Sequence, residues 1–228
     1  MKNKIILIPY IIFSGVFLLL VRYKPDCFWE QLVSKAIWMP LLISFYYKQI
    51  DKPISKASKL LIIALIFSWL GDVFLQINEL SKSFFIPGLL AFMSTHIIYG
   101  VLFLKPKGAT SILKKKPYLL LPFFFFLALL LFYLNNNLGK LKIPVYFYSC
   151  IIFLMAILAL NRYEKVGKNS FKFVLIGALI FILSDATLAV ALFKQKFLFS
   201  REITIFTYVL AQFLIVRGHI FEIKKPST

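Results

Sequence analysis

Apolar runs of about twenty residues, separated by short Lys-rich connections, recur along the chain from end to end. Runs of that length predict bilayer-spanning helices rather than core helices of a soluble domain. Eight are predicted, over residues 5–21, 28–47, 57–77, 83–104, 117–134, 143–161, 170–193 and 202–222. The first and fifth are the shortest. Pro87, Pro117 and Pro144 fall in or near first turns, where a missing N–H costs little. Pro40 instead falls inside the second span and is expected to kink it. The start, Met1-Lys2-Asn3-Lys4 before an apolar run, has the outline of a signal sequence. It lacks a small-residue cleavage site, and Arg22-Tyr23-Lys24-Pro25 follows the run directly, so an uncleaved first span is expected. The pattern predicts an all-α, polytopic integral membrane protein, with residues 1–228 forming a single transmembrane domain.

Composition narrows the class. At 61% hydrophobic, 16% charged and a mean hydropathy of +0.85, the 228-residue chain is no soluble domain. The net charge of +18 does not point to nucleic acid, because the lysines lie in connections rather than along one helix face. Lys and Arg concentrate on the side holding both termini, eighteen against eight on the other. The crowded side includes Lys2, Lys4, Lys105, Lys107, Arg162 and Lys225; the sparse side includes Lys82, Lys140, Lys142, Lys194 and Lys196. Both termini are therefore expected in the cytoplasm, with the protein in the cell (inner) membrane. Cys27 and Cys150 have no metal-ligand spacing and read as two buried thiols rather than a disulfide.

Against this background two stretches stand out, Ser68-Trp69-Leu70-Gly71-Asp72 in the third span and Leu183-Ser184-Asp185 in the seventh. A carboxylate in the hydrocarbon region costs roughly 2.5–3.5 kcal/mol on insertion scales, which makes an intramembrane Asp a candidate functional site. The two spans run in the same direction, and both aspartates are expected roughly 5–8 Å outside the midplane at 1.5 Å per residue. Ser68, Asp72, Gln76 and Glu79 form one polar stripe. The fourth span presents Phe92, His96 and Tyr99 on one face. The seventh adds Gly177, where helices can approach closely, and the eighth adds Thr204, Tyr208 and Gln212. Lys35, between Gln31 and Met39, is the cation of the second span. Ala64-Leu65-Ile66-Phe67 before Asp72 and Ala178-Leu179-Ile180-Phe181 before Asp185 hint at a four-plus-four parallel repeat, with chance similarity in apolar sequence as the rival.

Each residue also has a plainer use. His96 could be an interhelical hydrogen-bond partner, and Lys35 could snorkel to the headgroups. Tyr99, Tyr208 and Gln212 could simply pack, and Glu79, near a helix end, could be solvated. The aspartate pair resists a purely structural reading best. Two carboxylates in a low-dielectric pocket would not both ionise readily, since burial and each other's charge oppose it. One acid and one base would result, the pairing that acid–base hydrolysis uses. No nucleophile elbow, zinc motif or phosphate loop competes, and His96 with Asp72 supplies too few ligands for a metal site.

Leu70-Gly71-Asp72, Gly88-Leu89-Leu90-Ala91-Phe92 with His96 and Tyr99, Leu183-Ser184-Asp185, and Tyr208-Val209-Leu210-Ala211-Gln212 occur in order over nearly the whole chain. This ordered set resembles the YhhN-like, lysoplasmalogenase family. One departure is in the second span, where the family usually has Lys-Pro together; here Ala36 follows Lys35 and the proline comes at Pro40. The resemblance implies an integral-membrane hydrolase that cleaves the vinyl-ether bond of a lysoplasmalogen. The products would be a fatty aldehyde and glycerophosphoethanolamine or glycerophosphocholine. Asp72 and Asp185 would be catalytic. Lys35, His96, Tyr99, Ser184, Tyr208 and Gln212 would be substrate-binding, with Lys35 neutralising the phosphate. No cofactor or metal is required, the partners are the lysophospholipid and membrane lipids, and a homodimer is left open.

Two rivals use the same aspartates. An intramembrane aspartyl protease would need a glycine where Trp69 stands and a tyrosine where Ser184 stands. A proton- or cation-coupled transporter would use the aspartates as a relay.

Overall fold

A computed structural model describes residues 7–24, 26–104 and 111–224. Lys2, Lys4, Pro25, Lys105, Lys107 and Lys225, and the predicted start of the first span at residues 5 and 6, lie outside the described residues. Eight long helices follow in order: α1 (Leu7–Tyr23), α2 (Phe28–Tyr47), α3 (Lys56–Ile77), α4 (Phe85–Leu104), then after the one-turn α5 (Ile112–Lys115) come α6 (Leu121–Leu134), α7 (Lys142–Leu160), α8 (Lys168–Phe193) and α9 (Ser200–Ile223). The seventh predicted span is thus α8 and the eighth α9. No strand occurs among the described residues.

Among the described residues six helices are long and apolar enough to cross a membrane: α3, α4 and α6 to α9. The apolar part of α1, Tyr10–Tyr23, is shorter. α2 has 20 residues, but Glu30, Gln31, Ser34 and Lys35 dilute its apolar character. The chain is therefore an all-α, multi-pass membrane protein. Boundaries follow local chemistry. Ser55 caps α3, its side-chain oxygen accepting from the Ser58 N–H at 3.0 Å, which satisfies one of the first-turn donors. One-turn 3-10 segments lead into α4 and α6, the second opening at Pro117.

The chain divides into two compact units, Met1–Tyr99 and Gly100–Thr228, with the boundary inside α4. In the first unit α2 packs on α1 and on α3. Trp38, Met39, Leu42, Leu61 and Leu65 are fully buried there, with Phe17 edge-on to Trp38 at 5.1 Å. Gly71 is where α3 and α4 come together. A Cβ at that position would lie 2.6 Å from the Phe92 ring, so any side chain there would displace the ring that packs α4 on α3.

Pro40 leaves α2 continuous rather than ending it. Without an N–H, Pro40 cannot donate to the Ala36 carbonyl four residues back. The indole Nε1–H of Trp69, on α3, donates to that carbonyl instead, at 2.8 Å. In hydrocarbon such a group must find a partner within the protein. A gap in one helix has become a bond between two.

The second unit is built on the α8–α9 pair. At Gly177 a Cβ would meet Ile215 at 2.9 Å and the Ala211 carbonyl oxygen at 3.0 Å, so the predicted close approach is present. α6 keeps most of its surface outward, with Leu121, Phe125 and Phe132 all exposed. Two expectations are corrected here. Arg162, counted from the sequence as a loop charge, is 1% exposed. Its guanidinium donates to Glu222 and, at 3.0 Å, to Ser170 Oγ, and lies over the Phe103 ring at 5.3 Å. Burial pulls that guanidinium below its ordinary value while Glu222 opposes the shift. The cysteines are free but not buried in protein: Cys27 is half-buried and Cys150 is exposed on α7. Cys150 is exposed because lipid, not protein, covers an apolar outward position on a membrane helix, and Cys27 lies in the connection before α2.

Candidate functional site

Asp72 stands late in α3, one residue after the glycine contact and three after Trp69. It is 2% exposed, and α2 supplies it with a hydrogen-bond donor and a cation. The indole Nε1–H of Trp38 donates to Oδ2 at 3.2 Å. Lys35 Nζ stands 3.7 Å from Oδ1. The two partners are three residues apart, so one face of α2 delivers them together. The Trp69–Ala36 bond sits beside Lys35 and fixes α2 against α3 at this level. Lys35 does not snorkel away. Its Nζ also lies 5.9 Å from the centre of the Phe17 ring, which lends it an aromatic face.

Around this pair the first unit gathers further polar groups. The Tyr10 phenol, buried in α1, is in electrostatic reach of both Asp72 and Tyr99. Tyr99 and His96 are wholly buried on α4. Ser68 Oγ donates to Thr95 Oγ1 at 3.1 Å, and Thr95 in turn reaches the Ala64 carbonyl at 3.1 Å. The expected stripe on α3 is mostly inward: Ser68, Asp72 and Gln76 are buried. Glu79 is exposed and accepts from Gln76 Nε2 at 3.1 Å.

Asp185 belongs to the second unit and is placed differently. It is half-buried on α8, and its Oδ2 accepts from the Tyr148 hydroxyl of α7. Ser184 is buried, but its hydroxyl donates to the Thr204 carbonyl of α9 at 2.8 Å. That bond ties α8 to α9. Tyr208 stands edge-on to Phe181 with ring centres 5.5 Å apart, and Gln212 is fully buried on α9.

Of the residues singled out from the sequence, the first unit brings Lys35 and Asp72 together, with His96 and Tyr99 buried on the neighbouring helix. The second unit joins Asp185 to a residue that sequence reasoning passed over, Tyr148. Trp38, Tyr10 and Thr95 were passed over as well. Trp38 had a signal, its three-residue spacing from Lys35. Tyr148 had none beyond being a phenol in mid-span. Among the described residues no group of three or more His, Cys, Asp or Glu side chains could hold a metal ion.

The sequence pattern of the YhhN family matches residues 30–219. The chain belongs to the YhhN family. No curated protein and no solved structure matches it. The YhhN match takes in both aspartates with Lys35, Trp38, Trp69 and Tyr148. Tyr10 and Phe17, which flank the Lys35–Asp72 pair, precede it.

Proposed function

We propose that this YhhN-family membrane protein hydrolyses the vinyl-ether bond of a lysoplasmalogen, with Asp72 and Asp185 carrying the acid–base chemistry. The observation that supports this reading most is that each of two mid-span carboxylates is held by a donor from a neighbouring helix. The charge of Asp72 is matched by Lys35 and a Trp38 hydrogen bond inside a nearly dry helix packing. Asp185, half-buried on α8, accepts a hydrogen bond from the Tyr148 phenol of α7.

A vinyl ether is cleaved by protonating its β-carbon. The electron pair of the double bond takes the proton, leaving an oxocarbenium ion. Water adds to the cationic carbon and loses a proton, and the resulting hemiacetal collapses to a fatty aldehyde and the glycerophospholipid alcohol. In this reading Asp185 supplies the first proton and recovers one from the water. Asp72 is the standing negative charge that stabilises the cation, as one carboxylate of a glycosidase pair does. Lys35 holds that charge in place, so its role as a phosphate ligand gives way to one as partner of Asp72. Tyr148 orients Asp185, while His96, Tyr99, Tyr208 and Gln212 position substrate or water. The Lys and Arg asymmetry supports cytoplasmic termini in the cell membrane.

A buried Lys–Asp pair in a membrane helix also suits ion or proton coupling, and that observation keeps a coupled transporter as the second reading. Aldehyde release from a lysoplasmalogen by detergent-purified protein separates the two. Release that Asp72→Asn and Asp185→Asn each abolish supports the hydrolase. Flux into proteoliposomes with no aldehyde formed supports the transporter and sinks the hydrolase.

A further inference from the structure

The second unit carries an open groove of about 400 Å³ between α6 and α8, a volume in the range of small-molecule sites. Leu129, Leu130 and Tyr133 form one wall, and Ala186, Thr187 and Val190 the other. The floor is firm, because Leu130 and Val190 pack against the buried cluster of Leu134, Leu138 and Val145. The one hydroxyl on the α8 wall is already engaged, Thr187 Oγ1 donating to the Leu183 carbonyl at 2.8 Å. The groove therefore offers hydrocarbon and almost nothing else.

Its end is different. Lys194, the residue that closes α8, places Nζ 5.2 Å above the ring of Tyr133, a groove residue, and 3.2 Å from Asn137 Oδ1. Lys194 is exposed, and no carboxylate among the described residues pairs with it. A lined apolar channel ending at a cation without an acidic partner has the charge layout of a single-chain phospholipid. The chain would lie in the groove and the phosphate at the ammonium.

We infer that the α6–α8 groove binds the hydrocarbon chain of a lysophospholipid, with Lys194 receiving its phosphate. The inference rests on the hydrolase reading for its choice of lipid, and it adds where the substrate is held.

The test is photolabelling of the purified full-length protein in detergent. The probe is an acyl lysophosphatidylethanolamine with a diazirine in its chain, which has no vinyl ether and so reports binding alone. Labelling should fall on α6 and on residues 186–193. It should drop with Thr187→Trp, which fills the groove, and excess unlabelled lysophosphatidylethanolamine should compete it away. Lys194→Glu, a surface change that leaves the core intact, should weaken binding about tenfold, the scale of one charge-assisted contact. A monoacylglycerol diazirine, lacking phosphate, should label weakly and ignore that substitution. Labelling elsewhere, equal labelling by the phosphate-free probe, or equal labelling by two-chain phosphatidylethanolamine would overturn the inference. Groove labelling by a protein that releases no aldehyde would uphold the binding site while removing the hydrolase reading.

Discussion

The two aspartates are set in unlike surroundings although their sequences look alike. Asp72 is sealed between α2 and α3, with a cation at 3.7 Å and an indole donor at 3.2 Å. Asp185 is half-buried and accepts from the Tyr148 phenol. In the first unit the polar side chains gather on Asp72 and beside it: Lys35 and Trp38 on its carboxylate, Ser68 on Thr95. In the second, the hydroxyls nearest Asp185 along α8, Ser184 and Thr187, go to helix backbone, and Asp185 is met by Tyr148. A charge kept permanently in a membrane needs a counter-charge and fixed dipoles, which Lys35 and Trp38 give Asp72.

The largest effect should come from removing either carboxyl. Asp72→Asn and Asp185→Asn should each cut turnover by about 10²–10⁴-fold, the range for a lost acid–base group. Stability should separate them. Asp72→Ala strands Lys35 in a mostly buried position and is expected to cost about 3 kcal/mol, toward the lower end for a broken buried pair because Lys35 keeps some exposure. Asp185→Ala should cost less, about 1 kcal/mol, since its hydrogen bond to Tyr148 lies at a half-buried site. Reversible unfolding in mixed micelles measures both. Equal losses would mean that the contrast in burial has no energetic counterpart.

A second effect isolates the helix contact behind the first site. Trp69→Phe removes the donor to Ala36 and leaves a carbonyl without its partner, a cost of about 1–3 kcal/mol. In a Pro40→Ala background, residue 40 regains the N–H that α2 itself would use, and the same change should then cost less than about 1 kcal/mol. A double-mutant cycle on these two positions reads the coupling directly. Additive losses would show that the indole bond does not compensate for the proline.

Much of the fold was legible because membrane helices advertise themselves by run length. All eight predicted spans have a matching helix, and ends such as 28–47 agree with Phe28–Tyr47. Composition could also single out Asp72 and Asp185, because a carboxylate in hydrocarbon is expensive wherever it points. What surrounds them was harder to see. Trp38 and Tyr148 are aromatic residues in aromatic-rich spans, and hydropathy counts them as filler; only helix rotation reveals that their N–H and O–H face a carboxylate. Arg162 misled for the opposite reason. A charge beside a helix end reads as a loop charge, and nothing in its neighbourhood announces Glu222, sixty residues away, as its partner. The Trp69–Ala36 bond lay half in view, since Pro40 predicts an orphaned carbonyl but not its donor.

The smallest expected effect tests the two donors against each other. Tyr148→Phe deletes one hydroxyl at a half-buried carboxyl. The ring remains to fill its place, so the fold should lose no more than about 1 kcal/mol. If the phenol orients Asp185 for proton delivery, kcat should fall about tenfold with KM nearly unchanged, because the missing interaction acts on the reacting group rather than on the lipid. Trp38→Phe removes the corresponding donor to Asp72 together with buried contact against Phe17, so it should lower stability more than Tyr148→Phe does. Its kinetic effect should be smaller than its structural one, because Lys35 still balances the charge. Parallel kinetics and unfolding of the two variants therefore give opposite signatures, kinetic loss at Tyr148 and structural loss at Trp38. The reverse pattern would exchange the roles, making Asp185 the standing charge and Asp72 the residue that moves the proton.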